Sequence, residues 1–447
     1  MRVFYRTFGC KANQYDTERM RQELDARGTV AVERIEDAEL CVLNTCTVTN
    51  SADAEARRAI RRIRRRNPEA RIVVAGCSAA LHAGDYTGME GVEAVVPGHD
   101  PIRVARAAAA HPDGGQAGTS PPLVQLDDRR GLDRLDVEPV GGELLRRRTA
   151  GTRGWLKIQD GCDRKCAFCA TRLARGSSRS RSPEEVVAEA RLLARHHPEI
   201  VLTGIHIGHY GLDLPGSNTL GGLVNLLLDT IPGVRIRLGS IEATEICDEI
   251  VDRLVDSEGR LAPHLHMPLQ SGADPVLRRM RRWHTREQYR RRVLEIVDRV
   301  PLLGLGADVI TGFPGETDAD HASTAELIDE LPFTYLHVFP FSPRDDTVAA
   351  QLVREMPVPE RTAGERSREL RERVHRKADR HAAGRVGTRA RVVIEGGDSA
   401  LTGDYLRVSV EPNPSRFVGD LAGGVLQMGP DGLYIDDLET VAWREGA

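Results

Sequence analysis

The stretch of the 447-residue chain richest in reactive groups is Cys162-Asp163-Arg164-Lys165-Cys166-Ala167-Phe168-Cys169, a C-x3-C-x2-C spacing just past an apolar run. Three thiolates on one short loop can ligate three corners of an iron–sulfur cubane. No fourth cysteine follows nearby, so one iron would stay open to a small chelating molecule. A zinc knuckle is the competing reading. Zinc usually takes four ligands, often as paired C-x2-C units, and here the second pair is missing. The spacing favours a cluster.

Three more cysteines lie far apart in sequence but in equivalent settings. Each closes a strand-like run: Thr7-Phe8-Gly9-Cys10, Leu43-Asn44-Thr45-Cys46 and Val74-Ala75-Gly76-Cys77. The carboxyl ends of parallel strands share one sheet edge, where ligands bind. Cys10, Cys46 and Cys77 are therefore expected to converge on a second metal centre, with Gly9 and Gly76 letting the backbone come close. A single cysteine of this kind would read as an ordinary buried thiol; three at equivalent strand ends do not. Cys41, inside a strand, and Cys247, in the helical stretch Ile246 to Val255, are expected to be packing residues. Eight cysteines in a chain expected to be cytoplasmic point to metal or redox chemistry and not to disulfides.

These loops need a scaffold, and the apolar pattern supplies one. Val3 to Phe8, Leu40 to Asn44, Arg71 to Ala75 and Glu93 to Val96 read as strands, separated by the helical stretches Gln14 to Ala26 and Ser51 to Arg66. Alternation of this kind predicts a doubly wound parallel-sheet domain over residues 1–110. Residues 111–150, rich in Pro, Gly and charge, read as a linker. Over 151–382 the alternation returns, with strands at Trp155 to Gln159, Ile200 to Thr203, Val234 to Leu238, Leu265 to Leu269, Leu305 to Ile310 and Tyr335 to Phe339. Six units predict a partial (β/α) barrel with its site at the strands' carboxyl ends. Ser182, Pro183 and Glu185 mark one helix start, with Val186, Ala190 and Leu193 as its buried stripe. After a charged helix at about 359–382, short strands with Gly turns over 383–447 predict a small β-barrel. No apolar run reaches membrane-spanning length, and no cleavable leader is expected.

The motifs closely resemble those of the radical S-adenosylmethionine (SAM) methylthiotransferase family. The resemblance rests on Thr7-Phe8-Gly9-Cys10-Lys11-Ala12-Asn13-Gln14-Tyr15-Asp16-Thr17-Glu18, Asn44-Thr45-Cys46-Thr47-Val48-Thr49-Asn50, Ala174-Arg175-Gly176, Leu202-Thr203-Gly204-Ile205-His206-Ile207-Gly208, His266-Met267-Pro268-Leu269-Gln270-Ser271-Gly272 and Gly312-Phe313-Pro314-Gly315-Glu316-Thr317. It is strongest for the branch acting on threonylcarbamoyl-modified adenosine beside the tRNA anticodon. It implies an N-terminal cluster domain, a radical SAM barrel and a TRAM-like C-terminal barrel. It also implies two [4Fe-4S] clusters, one held by Cys10, Cys46 and Cys77 and the other by Cys162, Cys166 and Cys169. The mechanism it implies uses two SAM molecules, one to methylate sulfur and one to give the radical that takes hydrogen from adenine C2. Phe168, Gly204, His206, Glu242 and Gln270 are implied to position SAM. A tRNA anticodon stem-loop and a flavodoxin- or ferredoxin-type electron donor are the implied partners, and a monomer is expected. Two features depart from the pattern. Ala170-Thr171-Arg172-Leu173 stands where relatives carry a proline-containing stretch, and residues 383–447 hold six arginines, no lysine and ten acidic residues.

Net charge is only −4, so any RNA contact must come from local clusters. Arg57, Arg58, Arg61, Arg62, Arg64, Arg65 and Arg66 read as a solvated helix face. Arg278, Arg279, Arg281, Arg282 and Arg286 read as phosphate contacts, with Trp283 or His284 stacking on a base. Asp308 and Glu316 read equally as catalytic or as structural carboxylates. The alternatives for function are a methylthiotransferase acting on a ribosomal protein side chain or on isopentenyl-type adenosine, and a non-catalytic two-cluster electron carrier.

Overall fold

The computed structural model describes residues 1–110, 123–124, 144–149, 151–410 and 420–441. Most of the expected linker, together with Arg416 and Arg444, lies outside the described residues.

Six parallel strands open the chain: β1 (Arg2–Thr7), β2 (Val30–Val32), β3 (Leu40–Thr45), β4 (Arg71–Gly76), β5 (Val92–Pro97) and β6 (Leu123–Val124), in sheet order β2-β1-β3-β4-β5-β6. Every residue of the central strand β3 is buried, as a strand covered on both faces must be. Its alternation sorts the two cores. Cys41 and Leu43 pack with Ile60 and Ile63 of helix α2 (Asn50–Arg66), while Leu40 and Val42 pack with Met20 and Leu24 of helix α1 (Lys11–Asp25). The four expected strands are present. The edge strand β2 has three residues, too few to carry an alternation signal.

The second unit contains β7 (Gly154–Lys157), a short hairpin of β8 (Gln159–Asp160) and β9 (Arg179–Ser180), then β10 (Glu199–Thr203), β11 (Arg235–Leu238), β12 (His264–His266), β13 (Gly304–Thr311) and β14 (Tyr335–Pro340). Two parallel three-stranded sheets, β11-β10-β7 and β12-β13-β14, are joined by the bridges Ile236–Leu261 and Ser240–His266. The result is a six-stranded partial barrel in chain order. β12 is shorter than the expected Leu265 to Leu269 run: Pro268 has no N–H to give to a ladder, and Gln270 turns the chain with φ 65°. The helix Pro183–Ala194 starts as expected, with Ser182 Oγ accepting from Glu185 N at 3.3 Å and Val186, Ala190 and Leu193 buried. Cys41 is buried, but Cys247 is exposed, standing as the cap residue before the helix Asp248–Asp256. The packing role expected of Cys247 is thereby corrected, because the helix begins one residue after it.

A helix at Glu360–Gly384 leads into a closed barrel of β15 (Arg389–Gly396), β16 (Ser399–Thr402), β17 (Arg407–Val410), β18 (Leu421–Gly429) and β19 (Gly432–Thr440). It docks under the amino ends of the partial-barrel strands. The fully buried Arg235 and Arg237 hold the Glu199 carboxylate at 2.5 to 3.0 Å and donate to the carbonyl oxygens of Arg391, Leu401, Thr402 and Gly403. Tyr405 stacks on His264 with centroids 4.3 Å apart.

Removing one partner of a buried ion pair strands the other. Glu199→Gln is expected to cost about 3–5 kcal/mol of stability, read from the urea midpoint. Asp404 gives a pH handle on the same docking face. Burial raises its carboxyl, but the His381 hydrogen bond and Arg385 outweigh burial and hold it at about 2. A depressed carboxyl contributes fully above its ordinary value near 4 and loses that contribution as pH falls toward 2, on the order of 2 kcal/mol. Asp404→Asn should flatten that acid limb of the stability profile.

Candidate active site

The first triad sits on three adjacent strand ends, since β1, β3 and β4 are neighbours in the sheet. Cys10 caps α1, Cys46 follows β3 directly, and Cys77 opens the short helix α3 (Cys77–Leu81). The approach is close enough that a Cβ on Gly9, whose φ is +89°, would lie 2.4 Å from Cys46 Sγ; only glycine fits there. The Asn13 amide donates to Phe8 O and Thr45 O, both at 2.9 Å, tying the Cys10 loop to the Cys46 loop. Thr45 Oγ1 donates to Ala75 O and accepts from Ala79 N, tying Cys46 to Cys77. Burial pushes the Cys46 thiol up to about 11 and the Cys77 thiol up to about 12, and the nearby Cys10 adds to the rise of each.

The second triad occupies the loop after β8. Cys162 N donates to Gly176 O, Ala167 N to Met280 O, and Cys169 N to Cys166 O. Cys162 Sγ lies 3.4 Å from His206 Nδ1, and Arg282 donates to Cys166 Sγ at 3.7 Å. Burial again raises the Cys162 thiol, to about 12.

Four buried charges join the two triads. Lys157 Nζ donates to Asp16 at 2.5 Å and to Asp160 at 2.8 Å, and Arg175 donates to both carboxylates at 2.8 to 2.9 Å and to Asn13 Oδ1. Burial alone would raise both carboxyls; the ammonium and the guanidinium override it and keep them ionised. Burial and Arg175 push His99 down to about 3, so the ring beside Cys77 is neutral.

A cavity of about 170 Å³ is lined by Val48, Thr49, Phe168, Gln270, Asp308 and the aromatic rings of Phe339 and Phe341, among others. Val48 and Thr49 follow Cys46, and Phe168 stands between Cys166 and Cys169. Asp308 Oδ1 is 3.2 Å from His266 Nε2 and from His337 Nδ1; His266 Nδ1 is 3.0 Å from the Tyr335 hydroxyl, itself 2.8 Å from His264 Nε2. One proton assignment satisfies this chain: His264 Nε2–H to Tyr335, Tyr335 O–H to His266, and His266 Nε2–H to Asp308. Burial raises the Asp308 carboxyl, and the two histidines outweigh that and hold it below the usual carboxylate range.

The fold and these loops have known counterparts. Residues 2–97 match the family described as uncharacterized protein family UPF0004, and residues 156–328 match the radical SAM superfamily. A Bacillus subtilis (strain 168) protein named threonylcarbamoyladenosine tRNA methylthiotransferase MtaB is 39% identical over 78% of this chain and 75% of its own. Its Aquifex aeolicus (strain VF5) namesake is 34% identical over 92% of this chain and 97% of its own. This chain is a radical SAM methylthiotransferase. A Ruegeria pomeroyi protein named tRNA-2-methylthio-N(6)-dimethylallyladenosine synthase is 30% identical over 94% of this chain and 95% of its own. Among solved structures, the radical SAM methyltransferase TsrM from Kitasatospora setae, with cobalamin and a [4Fe-4S] cluster bound, shares the fold at TM-score 0.57 and 17% identity, covering 79% of this chain and 78% of its own.

Methylthiotransferases of this two-part build use SAM and two [4Fe-4S] clusters. The donor sets fit such groups. Each triad offers three sulfurs with N–H donors aimed at them: Val48 N to Cys46, Thr171 N to Cys169, and Arg282 to Cys166. The buried Nε–H of Arg175, beside Cys77, has no partner among the described residues.

The residues expected to hold SAM distribute unevenly. Phe168 and Gln270 line the cavity, and Gly204 directly follows β10 where a Cβ would meet Gln159 O at 2.7 Å. His206 bridges Cys162 and Glu245, and Glu242 is bound by Arg282. Glu316 is consumed internally by Gly312 N and Arg366, whereas Asp308 faces the cavity. Of the five arginines expected to grip phosphate, Arg278 and Arg281 are exposed, whereas Arg282 is buried on Cys166, Arg279 donates to Gly315 O, and Arg286 to Ser323. His284 is buried, which corrects the base stacking expected of it, and the half-buried Trp283 carries the guanidiniums of Arg164 and Arg282 over its ring. Lys157, Asp160 and Gln159 were not anticipated. Gln159 accepts from Ile205 N and His206 N and donates to Gly161 O, pinning the cysteine loop to the end of β10.

Cys46→Ala and Cys162→Ala are each expected to lower iron in anaerobically purified protein from about eight to about four atoms per chain. Zinc in place of iron would contradict the assignment.

Proposed function

We propose that this chain transfers a methylthio group to C2 of N6-threonylcarbamoyladenosine next to the tRNA anticodon (position 37). One observation carries the reading: loops from both thiol triads border a single aromatic-lined cavity. An unpaired anticodon-loop base enters such a site at little unstacking cost. Cys162, Cys166 and Cys169 would hold the cluster that supplies the electron for SAM cleavage, and Cys10, Cys46 and Cys77 the cluster at which sulfur is methylated. Residues 1–110 then serve sulfur, 151–382 serve SAM, and 383–447 anchor the barrel from below.

The chain's own residues do the positioning. Phe168, Phe339 and Phe341 offer apolar faces to the base. The Asp308 carboxylate, held ionised by His266 and His337, accepts an N–H from the adenine edge. Gln270, in a left-handed backbone conformation that a non-glycine residue adopts only under constraint, fixes the cavity wall through Gln270 N to Asp308 O and Ile310 N to Gln270 O. Phe168 and Gln270 are assigned to SAM and base together, and His206, Glu242 and Gly204 to shaping the SAM side.

The dimethylallyl reading remains as a second substrate because one relative carries that name. Nucleoside mass spectrometry of tRNA from a deletion strain separates the two. Loss of methylthio-threonylcarbamoyladenosine is expected; unchanged levels of it would overturn the proposal, and loss of the dimethylallyl product instead would reassign the substrate. Among the described residues no helix is long and apolar enough to cross a membrane, and the work is assigned to the cytoplasm with a flavodoxin- or ferredoxin-type donor. In the purified enzyme, Cys10→Ala is expected to keep forming 5′-deoxyadenosine while giving no methylthio product. Loss of SAM cleavage would show that the labour is divided otherwise.

A further inference from the structure

Helix α2 carries seven arginines, and the structure divides them. Arg57 pairs with Asp85 at 3.2 Å, Arg64 with Glu90 at 2.9 Å and Arg66 with Glu36 at 3.6 Å. Arg58, Arg61, Arg62 and Arg65 are exposed and have no ion-pair or hydrogen-bond partner among the described residues. Their i, i+3, i+4, i+7 spacing puts them on one stripe, opposite the buried Ala56, Ala59, Ile60 and Ile63. Like charges three and four residues apart repel and weaken a helix. The chain has 66 acidic residues against 62 basic ones, so carboxylates were available to neutralise them. The stripe is left open at a cost to the helix.

Its position gives the reason. The α2 cap residue Thr49 lines the cavity. A rise of 1.5 Å per residue sets Arg58 about 13 Å and Arg65 about 24 Å along the axis from that wall. Among the described residues the C-terminal barrel offers nothing comparable. Its described arginines are all engaged: Arg385 with Asp404, Arg389 with Glu439, Arg391 with Glu258 O, and Arg407 with Glu395.

We propose that the Arg58, Arg61, Arg62 and Arg65 stripe is the docking surface for the phosphate backbone of the RNA whose base occupies the cavity. The proposal rests on the tRNA reading above. It turns the solvated face expected from the sequence into the principal electrostatic contact. Guanidiniums bind phosphate with charge-assisted hydrogen bonds, and each neutralised phosphate adds to the salt dependence of binding.

The test is binding of a fluorescently labelled anticodon stem-loop RNA to the cluster-loaded full chain across a salt series. The quadruple variant Arg58→Gln, Arg61→Gln, Arg62→Gln, Arg65→Gln is expected to bind on the order of 100-fold more weakly. Its slope of log affinity against log salt should be shallower by about 3. The matching quadruple Arg→Lys variant should recover most of the affinity, which a folding defect would not allow. The triple variant Arg57→Gln, Arg64→Gln, Arg66→Gln, which removes only paired arginines, should change affinity several-fold at most. Equal affinity and slope for wild type and the quadruple Gln variant would overturn the stripe while leaving the tRNA reading intact. A wild-type chain that binds no RNA would sink that reading and the stripe with it. Stripe-dependent binding to anionic lipid vesicles with RNA binding unaffected would assign the surface to another partner and overturn the proposal.

Discussion

The geometry of this molecule depends on a knot of four buried charges. Asp16 comes from the helix after Cys10, Lys157 from the first strand of the partial barrel, Asp160 from just before Cys162, and Arg175 from the helical turn Thr171–Arg175 that follows Cys169. Two positive and two negative groups cancel, which is the condition under which ions survive away from water. Each belongs to a loop or element adjoining a thiol triad, so the knot sets the distance and angle between the two. A hydrophobic contact could hold the domains together, but it slides; hydrogen-bonded ions in fixed directions do not.

Two further joints keep the knot from acting as a hinge. Tyr15 and Arg181 both bind Glu189, at 3.1 Å each, locking the same turn of α1 to the helix Pro183–Ala194. On the far side of the cavity, Arg344 reaches Thr47 and Asp53 at 2.5 Å and also bonds Asn50, seizing the segment after Cys46. The loop that carries Cys46 is thus held by its own sheet and by the barrel at once.

The parts of this architecture readable from sequence were those with a local signature. The C-x3-C-x2-C loop, the glycines before Cys10 and Cys77, the Ser182 cap and the apolar strand runs each declare themselves within a few residues. The charge knot does not, because Asp16 and Lys157 lie 141 residues apart and neither looks unusual beside its neighbours. Arginine runs are harder to read. Spacing along a helix tells which arginines share a face, but only the fold tells which have a carboxylate in reach. Arg282 reads from the sequence as a phosphate contact, yet its side chain is buried against Cys166, and on α2 only the fold separates the paired Arg57, Arg64 and Arg66 from the exposed Arg58, Arg61, Arg62 and Arg65. The family resemblance located the motif residues, and the structure then separated those that face the cavity, such as Phe168 and Gln270, from those that brace it, such as His206 and Glu242.

The turn carrying Tyr405 has a consequence for traffic. With that ring stacked on His264 and the Thr402 and Gly403 carbonyls clamped by Arg237, the partial barrel is stoppered at its base. It is a cup and not a tube. A base closed in this way leaves the rim to serve both entry and exit.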